Sequence, residues 1–133
     1  MSERAEVPVE ALAELRAVCL GLPETYEEQA WVGRRWRVRT KTFAHLLRIT
    51  DGRPPAYARA VGHDGPLTIV TFRSTGAELH AIKHSGPPYF HGGWGRDVVG
   101  MVLGEETDWD EIAELVTESY RCLAPRKLAQ LVP

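Results

Sequence analysis

The side chains best suited to chemistry in this 133-residue sequence are cationic and crowded into one stretch. Between Trp31 and Ile49 stand Arg34, Arg35, Arg37, Arg39, Lys41 and Arg48, six basic residues with no acid among them. Guanidinium groups at this density suit phosphates and carboxylates, because each presents a planar fork of donors that matches two oxygens. A second candidate set lies between Pro87 and Asp97. There, Pro87 and Pro88 stiffen the chain, and Gly92, Gly93 and Gly95 admit backbone angles closed to other residues. Tyr89, His91 and Trp94 supply flat rings that can stack on a base or a planar ligand, and Arg96 adds a charge. The competing reading of equal weight is that Phe90 and Trp94 plug the end of a sheet.

Other chemistries find less support. His80 and His84 fall at i and i+4 of a helical pattern, which puts both imidazoles on one face within reach of one metal ion. The metalloprotease signature needs Glu directly after the first His, and Ala81 stands there, so the pair is a weak metal candidate and no cofactor is expected. Glu24, Glu27 and Glu28 read as a solvated acidic lip rather than a cation cage. The run Gly93-Trp94-Gly95 starts like a dinucleotide fingerprint but lacks the third glycine and the helix. With no catalytic carboxylate pair and no nucleophile beside a base, a non-enzyme is the expectation.

The elements that must position these residues follow from periodicity. Leu12, Leu15, Cys19 and Leu22 recur at threes and fours after Pro8, predicting an N-terminal helix stopped by Gly21 and Pro23. Tyr26 is expected to point inward on the next strand, with the acids outward. The basic stretch reads as a hairpin turning at Arg39-Thr40. This predicts Trp36 opposite Phe43, with Arg35 and Arg37 opposite Ala44 and Thr42 on the other face; Arg48 rejoins that positive face by the period of two. Asp51 to Gly65 is rich in turns, with a strand or crossing segment over Tyr57–Val61. Leu67–Phe72 predicts a buried strand. Thr75-Gly76-Ala77-Glu78 has the form of a capping box before a short helix, Val98–Leu103 predicts the last strand, and Asp108 caps a helix whose stripe is Ile112, Leu115, Val116, Ser119 and Leu123. A final short helix follows Pro125.

Length and composition fit one globular domain over residues 1–133, with 44% hydrophobic and 26% charged residues, and the predicted helices and strands together make it α+β. No apolar run reaches bilayer length and no secretory signal opens the chain, so the expectation is a cytoplasmic protein with no membrane partner, its Cys19 and Cys122 unbridged. The net charge of −2 divides into −5 over residues 1–30, +8 over 31–96 and −5 over 97–133. That pattern predicts a positive sheet flanked by acidic helices.

The order of three short motifs carries a resemblance. Leu22-Pro23-Glu24, then Lys41-x-Phe43-Ala44, then Glu118-Ser119-Tyr120 before Leu123-Ala124-Pro125 resembles the MmcQ/YjbR family across nearly the whole chain. The resemblance implies a CyaY-like fold, in which N- and C-terminal helices pack on one face of an antiparallel sheet, and it implies a DNA-binding label. Two positions depart from the family pattern. Arg39-Thr40 replaces the frequent Gly-Gly turn, and Gly93 precedes Trp94 where relatives often have His, the nearest histidine being His91. Three functions follow as expectations. The first is DNA binding through Arg35, Arg37, Arg39, Lys41, Arg48 and Arg96, with Trp94 or His91 near bases. The second is a pocket for a small anionic ligand between the hairpin and the aromatic loop, walled by Tyr89, His91 and Trp94. The third is a non-catalytic interaction module, its oligomeric state open.

Overall fold

The computed structural model describes residues 6–92 and 95–133; the candidate Trp94 lies outside them. Within the described residues the strands are β1 (Thr25–Gln29), β2 (Arg34–Val38), β3 (Lys41–Ile49), β4 (Leu67–Arg73), β5 (Tyr89–His91) and β6 (Val98–Leu103). They form one antiparallel sheet in the order β1-β2-β3-β4-β6-β5. The helices are α1 (Val9–Cys19), α2 (Pro55–Val61), α3 (Gly76–Lys83), α4 (Trp109–Leu123) and α5 (Arg126–Ala129). The architecture is α+β, as the sequence predicts, and no described helix is long and apolar enough to cross a membrane.

The two terminal helices close one face of this sheet. Asp108 caps α4 through a carboxylate oxygen that accepts from the amides of Asp110 and Glu111 at 3.0 and 3.2 Å. The helix then lays Ile112, Leu115, Val116, Ser119 and Tyr120 against β3 and β4, with Tyr120 joining the expected stripe and Leu123 packing half-buried against it. Beside it α1 buries Ala11, Leu15 and Cys19. Under them the sheet contributes Trp36, Val38, Ala44, Leu46, Val70, Phe72, Val99 and Met101. Each large side chain removed from water here stabilises the fold by roughly 1.5–3 kcal/mol.

The β2–β3 pairing departs from expectation in one place, with wide effects. Arg37 faces Thr42 as predicted, but Trp36 faces Ala44 rather than Phe43, and Arg35 faces His45 rather than Ala44. The register slips between Trp36 and Arg37, so Phe43 is an extra residue in a β-bulge. Phe43 and Ala44 both turn into the helix-side core. Every later side chain of β3 therefore changes face: His45, Leu47 and Ile49 come to Arg35's face, and Arg48 leaves it. Arg48 donates from Nη1 to Thr68 Oγ1 at 3.0 Å instead of joining the basic set.

The face carrying Arg35, called the outer face below, is half covered by the segment left ambiguous in the sequence. Tyr57–Val61 belongs to α2, not to a strand. Pro54 and Pro55 start the helix, where a missing amide costs nothing, and Gly62 ends it at φ 79°. Its Ala58 packs with Leu47, Ile49, Ile69 and Phe90 in a second, smaller core. Gly100 on β6 is needed there, since a Cβ would come 2.3 Å from Phe90 Cζ.

Three further local expectations change. Tyr26 points to the outer face and Glu27 to the helix side, the reverse of the predicted orientation, because Glu27 finds cationic partners there. Thr75 begins α3 without a side-chain cap bond; Glu78 accepts from Ser74 Oγ instead. Tyr89–His91, expected as loop, pairs with β6 as an edge strand.

Candidate functional site

The positive hairpin is answered by the strand beside it. β1 and β2 form a hairpin of their own around residues 30–33, closed by the Ala30 amide donating to the Gly33 carbonyl at 3.0 Å. Gly33 must be glycine: its φ is 74°, and a Cβ would lie 2.0 Å from the Leu46 carbonyl oxygen. This turn sets Glu28 opposite Arg35 and Glu27 opposite Trp36. Glu28 Oε1 accepts from Arg35 Nε at 2.6 Å and from Arg37 Nη1 at 3.1 Å. Glu27 accepts a two-point contact from Arg16 on α1 at 2.8 Å, accepts from Trp36 Nε1 at 3.1 Å and pairs with Arg34 at 3.6 Å. Glu24 pairs with Arg39 at 3.3 Å. The three glutamates are thus not a free acidic lip. Arg16 holds the Glu27 carboxyl below the ordinary carboxylate range, and Arg35, then Arg37, do the same for Glu28.

The turn itself is charged and tied down. Arg39 occupies the left-handed region at φ 57°, a conformation glycine takes without penalty. Its carbonyl accepts the Tyr26 hydroxyl at 2.6 Å, and its side chain meets Glu24. Arg37 folds back on the same turn, donating to the Thr40 carbonyl.

Beside this network lies a cleft of about 410 Å³ on the outer face. Its floor is the bulge. Because Phe43 and Ala44 both point away, no side chain rises from β3 between Thr42 and His45, and a hollow is left over the backbone. Arg35, Thr42, His45, Thr71 and Arg73 edge the hollow; Pro54, just before α2, and Tyr57 within it wall one side, and the 30–32 turn, with Trp31, forms the rim. Trp31 is 82% exposed. His45 donates from Nε2 to the Val32 carbonyl at 2.6 Å and meets Tyr57 edge-on, ring centroids 6.2 Å apart. Burial lowers the His45 pKa, so the ring sits neutral near pH 7. Thr71 is 6% exposed and contributes its side chain to the lining of the hollow. Arg73 meets Asp97 through Nη1 at 3.3–3.4 Å, a loose contact.

The remaining predicted residues lie elsewhere. Lys41 and Arg96 are exposed and form no ion pair among the described residues. β5 stands at the sheet edge opposite β1, so β3, β4 and β6 separate Tyr89 and His91 from Arg35. Tyr89 lies on the helix side and its hydroxyl donates to Glu111 of α4; burial, then that carboxylate, pushes its pKa up to about 12. The pocket expected between hairpin and aromatic loop is therefore replaced by one between hairpin and α2, with neither Tyr89 nor His91 in its lining. His80 and His84 stack at 4.3 Å on exposed α3, with His84 Nδ1 bonded to the His80 carbonyl at 2.8 Å. Among the described residues no three His, Cys, Asp or Glu converge as metal ligands. His45, Tyr57, Thr71, Arg73 and Trp31 were missed as site residues. The bulge turns His45 to this face and α2 brings Tyr57 beside it, and the sequence signals neither.

The motifs behind the family resemblance meet in space. The Tyr120 hydroxyl donates to the Pro23 carbonyl at 2.7 Å, the Ser119 hydroxyl donates to the Phe43 carbonyl at 2.7 Å, and the Phe43 and Tyr120 rings pack edge-on at 5.5 Å. These contacts fasten the fold, while Phe43 and Ala44 also floor the cleft. A family model described as YjbR matches residues 20–122. No curated protein matches the sequence. A crystal structure of a protein from Pseudomonas syringae is similar over 87% of this chain and 98% of that one, with a TM-score of 0.61 and 15% identity, which establishes a shared fold.

Proposed function

The chain belongs to the YjbR family, and from that premise we propose that it is a binding protein whose outer sheet face takes an anionic ligand in the cleft between the basic hairpin and α2. The observation that carries this reading is the convergence of Arg35, Arg73 and Thr71 on one hollow. A hydroxyl lining a hollow beside two guanidinium groups suits an oxygen-rich ligand. A cytoplasmic setting and a single domain over 1–133 belong to the same proposal, supported by two unbridged cysteines and one continuous sheet. The test is calorimetric titration with pyrophosphate. Binding should weaken roughly tenfold in Arg35→Ala and in Arg73→Ala, the size expected of one charge-assisted contact. Undetectable binding, or binding that both variants leave unchanged, overturns the reading.

DNA binding is the second reading, favoured by the charge surplus along the hairpin. Glu28 is shared by Arg35 and Arg37, and Lys41 is exposed at the start of β3. Against it stand the arginines already engaged in ion pairs and an overall pI near 6.2. Fluorescence anisotropy of labelled duplex and single-stranded DNA across a salt series separates the two. Several phosphate contacts give a steep loss of affinity with salt, and one clamped ligand gives a shallow one.

A further inference from the structure

The cleft is graded along its length, and the grading points to a class of ligand. The sheet register sets Arg35, His45 and Thr71 on one rung. On one side of that rung lie the rings: Tyr57 at the α2 wall, held edge-on against His45, and Trp31 at the rim. On the other side, two residues along β4, Arg73 comes beside Thr42. Two residues of strand span about 6.6 Å. One end of the hollow is therefore flat-walled and weakly polar, the middle offers a hydroxyl, and the far end is cationic. Trp31 sharpens the argument. It is 82% exposed while the other described residues of the same cleft wall are buried or half-buried, and a large exposed ring over a hollow serves a partner better than it serves the fold.

We infer that the cleft takes a flat aromatic or heteroaromatic ring joined through a few bonds to a carboxylate or phosphate, with the ring beside Trp31 and Tyr57 and the anion between Arg35 and Arg73. The inference rests on the anion-binding reading and adds the ring to it. The ring stacks near the indole, where exposure to water would otherwise continue. The anion draws Arg73 from its loose contact with Asp97, and Thr71 donates its hydroxyl to an oxygen of the ligand.

Paired probes test it by calorimetry: AMP against ribose 5-phosphate, and indole-3-acetate against acetate. In at least one pair the ring-bearing member should bind roughly tenfold tighter or more, the range for one stacked ring. Trp31→Ala should remove that advantage while leaving the ringless anion's affinity and the melting temperature as they were. Equal binding within both pairs overturns the ring while the anion-binding reading survives through the ringless members. Binding of no probe, pyrophosphate included, brings down both. A ring advantage that persists in Trp31→Ala overturns the assignment of the ring to that rim.

Discussion

The two faces of the sheet treat polar groups in opposite ways. On the helix side almost every one is engaged: Trp36 Nε1 on Glu27, Ser119 between two strands, Tyr120 on Pro23, Arg48 on Thr68, Tyr89 on Glu111. On the outer side α2 covers only the half over Leu47, Ile49 and Ile69, and the rest is left with a hollow lined by the Thr71 side chain and with two arginines that share one acid, Glu28. Two tryptophans five positions apart mark the contrast, Trp36 being 0% exposed and Trp31 82%. The first face holds the molecule together; the second is where a partner finds something to do. The charge that looked like a function from sequence is split between them.

The comparison can be broken first with those tryptophans. Trp36→Ala should destabilise the protein by about 4 kcal/mol, the usual cost of deleting a buried large ring, whereas Trp31→Ala should stay within about 0.5 kcal/mol. Chemical denaturation midpoints would show it, and equal losses would mean that the outer face is also core. A second test uses adjacent carboxylates. Both Glu27 and Glu28 have pKa values below the ordinary 4.5. Each contributes stability that is present above about pH 4.5 and is lost as pH falls through its lower folded value. Glu27, only 12% exposed and bound to Arg16 and Trp36, should account for more of this acid limb than Glu28 at 36%. Glu27→Gln should therefore flatten the fall in melting temperature between pH 5 and 3 more than Glu28→Gln does. The smallest effect sharpens the outer face. Glu28→Gln removes the acid that competes for Arg35 and should tighten pyrophosphate binding by roughly threefold with little change in stability, as expected when an exposed ion pair is released.

What the sequence made legible follows from how far each signal reaches. Helices α1 and α4 announce themselves by spacing over three or four turns, and the Arg39-Thr40 turn by the alternation around it. The bulge occupies a single residue, so the alternation continues past Phe43 on paper while the side chains have changed face. That one slip misassigned Arg48 and hid His45. Pro54-Pro55 reads equally as a loop or as a helix start, which concealed α2 and the covered half of the outer face. The pairing of acids with the hairpin was within reach. Glu27-Glu28 and Arg34–Arg37 mirror each other about the turn at 30–33, and opposite charges at mirrored positions of two strands are a pairing signal in themselves.

The Ser119 hydroxyl has a consequence for how the molecule opens. It accepts from the Arg73 amide at 2.8 Å and donates to the Phe43 carbonyl at 2.7 Å, bridging the ends of β3 and β4 from behind the cleft floor. Helix α4 and the floor therefore come apart together, as one cooperative unit in the exchange of amide hydrogens with solvent. A ligand seated on the outer face holds that unit shut by mass action. Its occupancy should be readable on the opposite side of the protein, as slower deuterium uptake along α4, by residues that never touch it.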